Sequence, residues 1–262
     1  ADGGSIISRM LKESKAFAEQ FVFIGTLKVK QVYVPDLRQR LIARLGTDKA
    51  ELLRELAVSA GPIRVLPDDS VTMVAQAVEF CRSRLGLDQA SADIGLSLPA
   101  TLASRRHLNR VMLHPTSYNA KKNWPWQKYL QLARHLQKRG YEPQFVLSPK
   151  ERAVWAPYFE AEFAVPQFAN SKELAAHLYE SGFVIGNDSG VGHLASALGV
   201  PVLTLYRKRR DGFCWRPGWG DNEVVRPSLS LGSFRGGWKF FLSVSKVERA
   251  FDRLLSKHGV RS

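Results

Sequence analysis

The chain has 262 residues, of which 38 are lysine or arginine and 24 are aspartate or glutamate, so its formal net charge at pH 7 is +14. At about 150 residues per domain, this length fits one large domain or two small ones. Hydrophobic residues make up 45% of the chain, which is typical of a globular protein. No apolar run approaches the roughly 20 residues of a membrane-spanning helix, and no secretory signal peptide is visible. Cys81 and Cys214 lie far apart in the sequence, which excludes a disulfide scaffold and a cysteine-ligated metal site and fits the cytoplasm.

The first hundred residues have the less regular pattern. Helices are predicted over 5–20, 37–45, 48–58 and 70–86, and strands over 21–24, 31–34 and 63–66. Residues 88–109 are polar and contain Pro99, so we expect them to connect two lobes. The sequence therefore predicts a first domain at 1–100, which is short or incomplete, and a second domain at 101–262.

The second half alternates short apolar strands with amphipathic helices. Strands are predicted over 111–113, 144–147, 183–185 and 201–206. Helices are predicted over 124–139, from 149, over 171–181 with Ser171 as the cap, over 190–198, and over 246–257 with Ser245 or a neighbouring serine as the cap. Because parallel strands are joined by right-handed crossovers through helices, this alternation predicts a Rossmann-like parallel sheet.

Residues 186–206, GNDSGVGHLASALGVPVLTLY, place small and polar side chains between a strand and a helix. A helix N-terminus offers unpaired N–H groups and the positive end of a dipole, which together favour phosphate. Ser189 and Gly190 lie at this N-terminus, and His193 lies in the first helical turn. Asp188 follows the carboxyl end of the strand, where open α/β sheets bind ligands. The structural alternative is that Asp188 only caps the helix and that the small residues only pack.

Residues 114–126, HPTSYNAKKNWPW, also lie between a strand end and a helix start, so they belong to the same edge of the sheet as Asp188. Thr116 and Ser117 offer hydroxyls, and Lys121 and Lys122 offer ammonium groups, which suit the oxygens of a diphosphate. Taken alone, the two lysines are equally well explained as a solvated turn.

Residues 207–241 are predicted to form a long, shaped loop. Its basic residues include Arg207, Lys208, Arg209, Arg210, Arg216, Arg226, Arg235 and Lys239, and its aromatic residues include Phe213, Trp215, Trp219, Phe234, Trp238, Phe240 and Phe241. Such a mixture can hold phosphate and stack on a base or sugar ring. Packing of a surface lobe by the tryptophans is the alternative.

The segments HPTSYNAKKNWPWQKYLQLARHLQKRGYEPQFVLSPKE and GNDSGVGHLASALGVPVLTLY together resemble the C-terminal lobe of the bacterial ADP-heptose:lipopolysaccharide heptosyltransferases. In that family a hydroxyl-rich turn and a Lys-x-Trp-Pro element precede an Asp-Ser/Thr-Gly-x-x-His-Leu element, as they do here. The resemblance covers about residues 61–262. It implies the GT-B fold, in which two Rossmann-like α/β lobes face each other across a cleft.

The resemblance also implies a site and a reaction. The implied diphosphate-binding residues are Thr116, Ser117 and Lys122, and the residues that complete the nucleotide-sugar site are Asp188, Ser189, Gly190 and His193. The implied reaction transfers a heptose from ADP-heptose to the inner core of lipopolysaccharide, with inversion at the anomeric carbon. No metal or other cofactor is expected, because a lysine and a helix N-terminus can stabilise the leaving diphosphate.

The N-terminus departs from the family pattern, in which a strand leads to a Gly-Asp turn that carries the catalytic base. This chain begins ADGGSIISRML. One alignment places Ala1-Asp2 on that turn and makes Asp2 the base. Another places Asp2-Gly3-Gly4 on a later turn, in which case the catalytic turn is missing, and the short first lobe favours this second alignment.

The basic charge is consistent with the acceptor that the resemblance implies, which is anionic. Residues 111–262 carry 22 basic and 12 acidic residues. We expect the protein to bind electrostatically at the inner face of the cytoplasmic membrane, with residues 207–210 as its contact. A solvated basic loop is the alternative.

Two other functions fit parts of the sequence. Gly190-x-Gly192-x-x-Ala195 matches a dinucleotide fingerprint, with Arg207 placed to bind an NADP 2′-phosphate, which suggests an NADP-dependent oxidoreductase. That reading does not account for Asp188 or for the Lys-Asn-Trp-Pro element. A basic nucleic-acid-binding module fits the charge, but no recognised DNA or RNA motif is present, so nucleic acid is not expected as a partner.

Overall fold

A computed structural model of the chain describes residues 70–96, 98–207, 214–229 and 237–259. The chain divides into two compact units, Ala1–Pro67 and Asp68–Ser262. The elements predicted over residues 5–66, and Asp2, lie outside the described residues and stay predictions. In the described part of the chain, no helix has the length and apolar character needed to cross a membrane.

The second unit is built on a five-stranded parallel sheet. Its strands are β1 His107–His114, β2 Glu142–Phe145, β3 Ser181–Asn187, β4 Val202–Leu205 and β5 Glu223–Val225. The described helices are α1 Met73–Leu85, α2 Trp126–Lys138, α3 Pro149–Trp155, α4 Ser171–Tyr179, α5 Gly190–Ala197, α6 Trp238–Phe241 and α7 Val244–Lys257, with 3-10 turns at Ala120–Lys122 and Ala156–Tyr158. The spatial order is β2-β1-β3-β4-β5, with every neighbouring pair parallel, which confirms the predicted Rossmann-like sheet.

Helices cover both faces of this sheet. Val111 and Leu113 of β1 point into a core with α2 and α7, whereas Met112 between them points into a second core with α4 and α5. This alternation follows from the pleat of a strand, in which successive side chains point to opposite faces. Because both faces are covered, the buried stretches 111–113, 183–185 and 202–205 are almost wholly apolar, which is why they are visible in the sequence.

The order of the strands reverses between β1 and β3. From β1 the chain crosses to β2 on one side, and from β3 it crosses to β4 on the other side. The backbones of β1 and β3 lie close together here, since a Cβ on Gly186 would approach the His114 carbonyl oxygen to 3.0 Å. A reversal of this kind opens a crevice at the carboxyl ends of the two strands, and such crevices bind ligands in open α/β sheets.

Two helix caps show how closely local sequence sets the element boundaries. Ser243 caps α7 by accepting a hydrogen bond from the Lys246 amide at 3.2 Å, which confirms a serine next to Ser245 as the cap. The prediction that Ser171 caps α4 was wrong. The cap is Asn170, whose Oδ1 accepts hydrogen bonds from two amides of the first turn. Asn170 has the extended backbone of a cap, whereas Ser171 is already helical.

Residues 70–96 pack onto the segment 214–219 of the second unit. The Met73 amide donates to the Cys214 carbonyl at 2.7 Å, and the Trp219 indole donates to the Ala92 carbonyl at 2.7 Å. Residues 70–96 therefore lie in the compact unit that begins at Asp68. The domain boundary predicted at residue 100 stays a prediction.

The segment 207–241 was predicted as a loop, but its described parts contain two further elements. These are β5, which pairs with β4 at the edge of the sheet, and the short helix α6. A three-residue strand is too short to show a periodicity, so its pairing with β4 decides its conformation.

Candidate functional site

The candidate site lies at the carboxyl ends of β1 and β3, at the reversal of strand order. His114, the last residue of β1, is the register partner of Gly186 in β3. The segments that follow the two strands are therefore neighbours, and they carry every predicted site residue except Asp2. Asp2 lies outside the described residues.

Asn187 joins the two segments. Its side chain is buried, with its Oδ1 accepting from the Trp124 amide at 3.1 Å and its Nδ2 donating to the Pro115 carbonyl at 2.7 Å. Both ends of the segment 115–124 are thus tied to the residue that precedes Asp188. Sequence reasoning missed this role, although Asn187 stands inside the segment that it singled out.

Lys122 and Asp188 form an ion pair across the site. Lys122 Nζ lies 2.6 Å from Asp188 Oδ2, and the two side chains are 32% and 14% exposed. Lys122 ends the 3-10 turn Ala120–Lys122, whose start is capped by the Asn119 side chain. An ammonium group has three N–H donors, so this pair leaves Lys122 able to bind further oxygens.

The three predicted hydroxyls differ in their surroundings. Ser117 Oγ already has partners within its own turn, the Asn119 carbonyl at 2.9 Å and Asn123 Oδ1 at 2.8 Å. The hydroxyls of Thr116 and Ser189 are buried and make no hydrogen bond with the described residues. A buried hydroxyl without a partner is costly, so these two groups are the ones suited to receive a ligand.

Helix α5 begins at this site without a side-chain cap. Ser189 occupies the cap position with an extended backbone, but its hydroxyl makes no capping hydrogen bond. Gly190 is exposed, and a Cβ placed on it would meet nothing within 4 Å. The first N–H groups of the helix therefore have no side-chain cap, and Gly190 leaves room beside them for an anion.

His193 lies next to the ion pair. Burial lowers the pKa of His193, the charge of Asp188 and a hydrogen bond to the backbone of Trp215 raise this pKa, and the charge of Lys122 lowers it. Because the net shift is downward, the imidazole is neutral at pH 7 and can both donate and accept a hydrogen bond.

Glu151 follows the neighbouring strand β2 and lies at the same edge of the sheet as the site. Sequence reasoning missed this residue. It lies in the first turn of α3, just beyond β2, and its Oε2 accepts from the Ser148 amide at 2.8 Å. Burial raises the pKa of the Glu151 carboxyl, but the hydrogen bonds from Ser148, the nearby Thr116 hydroxyl and His114 together lower it by more. The pKa is therefore below its ordinary value, and the carboxylate is ionised.

His114 is a structural residue of this edge. Its ring is buried and its Nδ1 is hydrogen-bonded to the Val146 carbonyl at 2.9 Å, which ties β1 to the chain beyond β2. Burial lowers the pKa of His114, so the ring is neutral. Among the described residues, no group of three or more His, Cys, Asp or Glu side chains is placed to hold a metal ion.

Several solved structures are similar to this chain. E. coli ADP-heptose lps heptosyltransferase II is 19% identical with a TM-score of 0.53, over 81% of this chain and 75% of its own. A glycosyl transferase family 9 protein from Veillonella parvula is 19% identical with a TM-score of 0.48, over 79% of this chain and 60% of its own. E. coli heptosyltransferase WaaC with ADP is 20% identical with a TM-score of 0.48, over 64% of this chain and 55% of its own. The chain thus spans 60% or less of the last two proteins. No curated protein matches this chain.

A match to a family model gives more specific evidence about the family than a similar fold does. Residues 42–229 match the model of glycosyltransferase family 9 (heptosyltransferase). The match covers more than half of the chain and includes both segments of the site, and it confirms the resemblance found in the sequence. The chain therefore belongs to glycosyltransferase family 9, the heptosyltransferase family.

Proposed function

We propose that this protein is a glycosyltransferase that moves a heptose, or a closely related sugar, from ADP-heptose to the inner core of lipopolysaccharide. Membership of glycosyltransferase family 9 supports the reaction class. The observation that carries the proposal for this chain is the ion pair of Lys122 with Asp188, placed beside the uncapped N-terminus of α5 at the reversal of strand order. The alternatives of an NADP-dependent oxidoreductase and a nucleic-acid-binding module have no support from the family match.

The donor diphosphate would bind between the two segments of the site. The N–H groups at Gly190 and the hydroxyls of Ser189 and Thr116 would bind its oxygens, because these groups lack partners among the described residues. The Glu151 carboxylate would accept hydrogen bonds from ribose hydroxyls, since an acidic residue after the neighbouring strand does this in nucleotide-binding α/β folds.

Asp188 would orient Lys122 rather than bind phosphate. A carboxylate repels a diphosphate, but at 2.6 Å from Nζ it holds the ammonium group in one place. Ser117 would act through the shape of its turn, because its hydroxyl already has partners there. His193 is a neutral imidazole whose N–H is bonded to the Trp215 backbone, so its other ring nitrogen would accept a hydrogen bond from a hydroxyl of the donor.

The reaction would be a direct displacement. The oxygen of an acceptor hydroxyl forms a bond to the anomeric carbon, the bond from that carbon to the diphosphate oxygen breaks, and the configuration inverts. The proton of the hydroxyl passes to a general base, for which Asp2 is the candidate. The pair of electrons leaves with ADP, and the Lys122 ammonium and the N-terminus of α5 stabilise the charge that develops there, without a metal. We assign the acceptor-side lobe to residues 1–100 and the nucleotide-sugar-binding lobe to residues 101–262.

The donor class is tested by ligand-induced stabilisation of the full chain. ADP at about 100 times its dissociation constant is expected to raise the free energy of unfolding by about 2.7 kcal/mol, since it binds only the folded state. NADPH and a short oligonucleotide at the same concentration are the comparisons. Stabilisation by NADPH or by the oligonucleotide, without stabilisation by ADP, would reject the donor.

The reaction itself is tested by a transferase assay with ADP-heptose and a truncated lipopolysaccharide core, run beside Asp2→Asn. An active wild type with an inactive variant identifies Asp2 as the base. If both are active, another residue is the base. If ADP binds but neither chain transfers sugar, the chain holds a donor site without transferase activity.

The acceptor also places the protein at an anionic surface. We propose that it binds the inner face of the cytoplasmic membrane peripherally through the basic residues 207–210, of which 208–210 lie outside the described residues. Binding to anionic vesicles is expected to fall steeply with salt, because the Debye length shrinks from about 10 Å at 0.1 M to about 3 Å at 1 M. Neutral vesicles are the control. Binding that does not change with salt, or no binding to anionic vesicles, would contradict this placement.

A further inference from the structure

The ammonium group of Lys128 is hydrogen-bonded to backbone carbonyls at the end of α6. Lys128 lies in the first turn of α2, and its Nζ donates to the carbonyl of Lys239 at 2.6 Å and to that of Leu242 at 2.9 Å, with the carbonyl of Phe240 at 3.5 Å. The last carbonyls of a helix have no partners within the helix, so a cation placed among them holds the end of the helix together. Within the described residues, no carboxylate pairs with Lys128.

The helix that Lys128 holds is also bonded to the turn that carries Lys122. Trp238, the first residue of α6, is buried, and its indole N–H donates to the Lys121 carbonyl at 3.1 Å. The Trp124 indole donates to the Leu242 carbonyl at 3.0 Å, which ties the other end of α6 to a residue just before α2. Helix α6 therefore lies between Lys128 and the 3-10 turn, with hydrogen bonds to both.

The surroundings of Lys128 make its charged form less stable than it would be in water. Burial lowers the pKa of Lys128, which means that its surroundings disfavour the charged form. Carbonyl dipoles compensate a charge less completely than a carboxylate does. A four-residue helix has little stability of its own, so without the cation its position, and that of Trp238, would be poorly determined.

We propose that Lys128 and Trp238 are positioning residues for Lys122: the Lys128 ammonium fixes α6, and the Trp238 indole then fixes the turn Ala120–Lys122 that holds Lys122 against Asp188. The catalytic consequence rests on the proposed function of Lys122. The geometric part does not, because it concerns hydrogen bonds within the protein alone.

The geometric part is tested by amide hydrogen exchange in Lys128→Met and Trp238→Phe. The reporters are the Lys122 and Asn123 amides, which are bonded to the carbonyls of Asn119 and Ala120. The internal reference is the Val184 amide in the core of the sheet, bonded to the Pro201 carbonyl at 3.0 Å. We expect exchange at the reporters to rise about tenfold or more relative to Val184 in both variants, since the local turn loosens while the core does not.

A matched control is available on the same helix. Lys138 is exposed near the end of α2, so Lys138→Met removes the same charge without touching α6, and the exchange ratio should not change. If the ratio is unchanged in Lys128→Met, Lys128 does not hold the turn. If it is unchanged in Trp238→Phe, the connection does not pass through the indole N–H. If Lys128→Met does not fold, the exchange ratio in Trp238→Phe alone tests whether α6 holds the turn.

The catalytic part is tested with ADP-heptose as the donor. We expect kcat to fall about tenfold in each variant, as when about 1.4 kcal/mol of transition-state stabilisation is lost, with the donor KM changed less than about threefold. The double variant should lose less than the product of the two single losses, because both act on one turn. Loosened exchange with an unchanged kcat would overturn the catalytic consequence. A wild type that neither binds ADP nor transfers sugar would instead reject the proposed function, and the exchange ratios would still test the geometry.

Discussion

Replacing Lys122 with alanine is expected to lower kcat for sugar transfer by about 10²–10³-fold while changing the donor KM by less than about threefold. The charge on the departing diphosphate is largest late in the reaction, so an ammonium group that stabilises it acts mainly on the transition state. Steady-state kinetics with ADP-heptose and a truncated core acceptor measure both constants.

The matched control for this variant is Lys121→Ala. Lys121 is the neighbouring residue on the same 3-10 turn, but its side chain is exposed and forms none of the described ion pairs. We expect it to keep kcat within about twofold of wild type, as for an exposed charge away from the reacting atoms. Equal turnover in wild type and Lys122→Ala, at equal donor affinity, would remove Lys122 from the mechanism.

Replacing Gly190 with aspartate is expected to weaken ADP binding by about 10²-fold or more while making the fold slightly more stable. A carboxylate within about 4 Å of a phosphate opposes it by up to about 4 kcal/mol near a protein surface. The same carboxylate in the first turn of α5 should stabilise the helix by about 0.3–1 kcal/mol, because it lies at the positive end of the dipole. The two effects have opposite signs, which distinguishes loss of a binding site from loss of structure.

Gly190→Ala is the control, because a Cβ at this position meets nothing within 4 Å and the backbone is not in the left-handed region. It should bind ADP within about threefold of wild type, since it adds a methyl group and no charge. Calorimetric titration with ADP gives the affinities, and denaturant unfolding gives the stabilities. If ADP bound Gly190→Asp as tightly as wild type, the N-terminus of α5 would not be the diphosphate site.

Local patterns in the sequence were sufficient for most elements of the second unit. The predicted helix 70–86 is α1, which begins after Thr72, whose hydroxyl accepts from the Ala75 amide at 3.2 Å, and ends at Gly86 with φ of 65°. Caps, glycines with positive φ and apolar strands buried on both faces depend on interactions within a few residues, so one sequence shows them. The family resemblance rested on two such segments, and the family match confirms it.

The candidate site was visible in the sequence as two separate lists of residues. That Asp188 and Lys122 share one sheet edge follows from their positions after parallel strands, which the pattern predicted. That they form an ion pair at 2.6 Å does not follow from it, because 65 residues separate them and only the pairing of β1 with β3 brings them together.

By itself, the sequence determined the parallel α/β character of the second unit, the edge that carries the site and the family to which the chain belongs. Only the tertiary structure decided which polar groups at that edge have partners. Asn187 and Ser117 are committed to the backbone and to the local turn, whereas Thr116 and Ser189 are not. The physical reason is that hydrogen bonding of a buried group depends on atoms that lie far away along the chain. The spacing of residues in the sequence does not show which of those atoms come close.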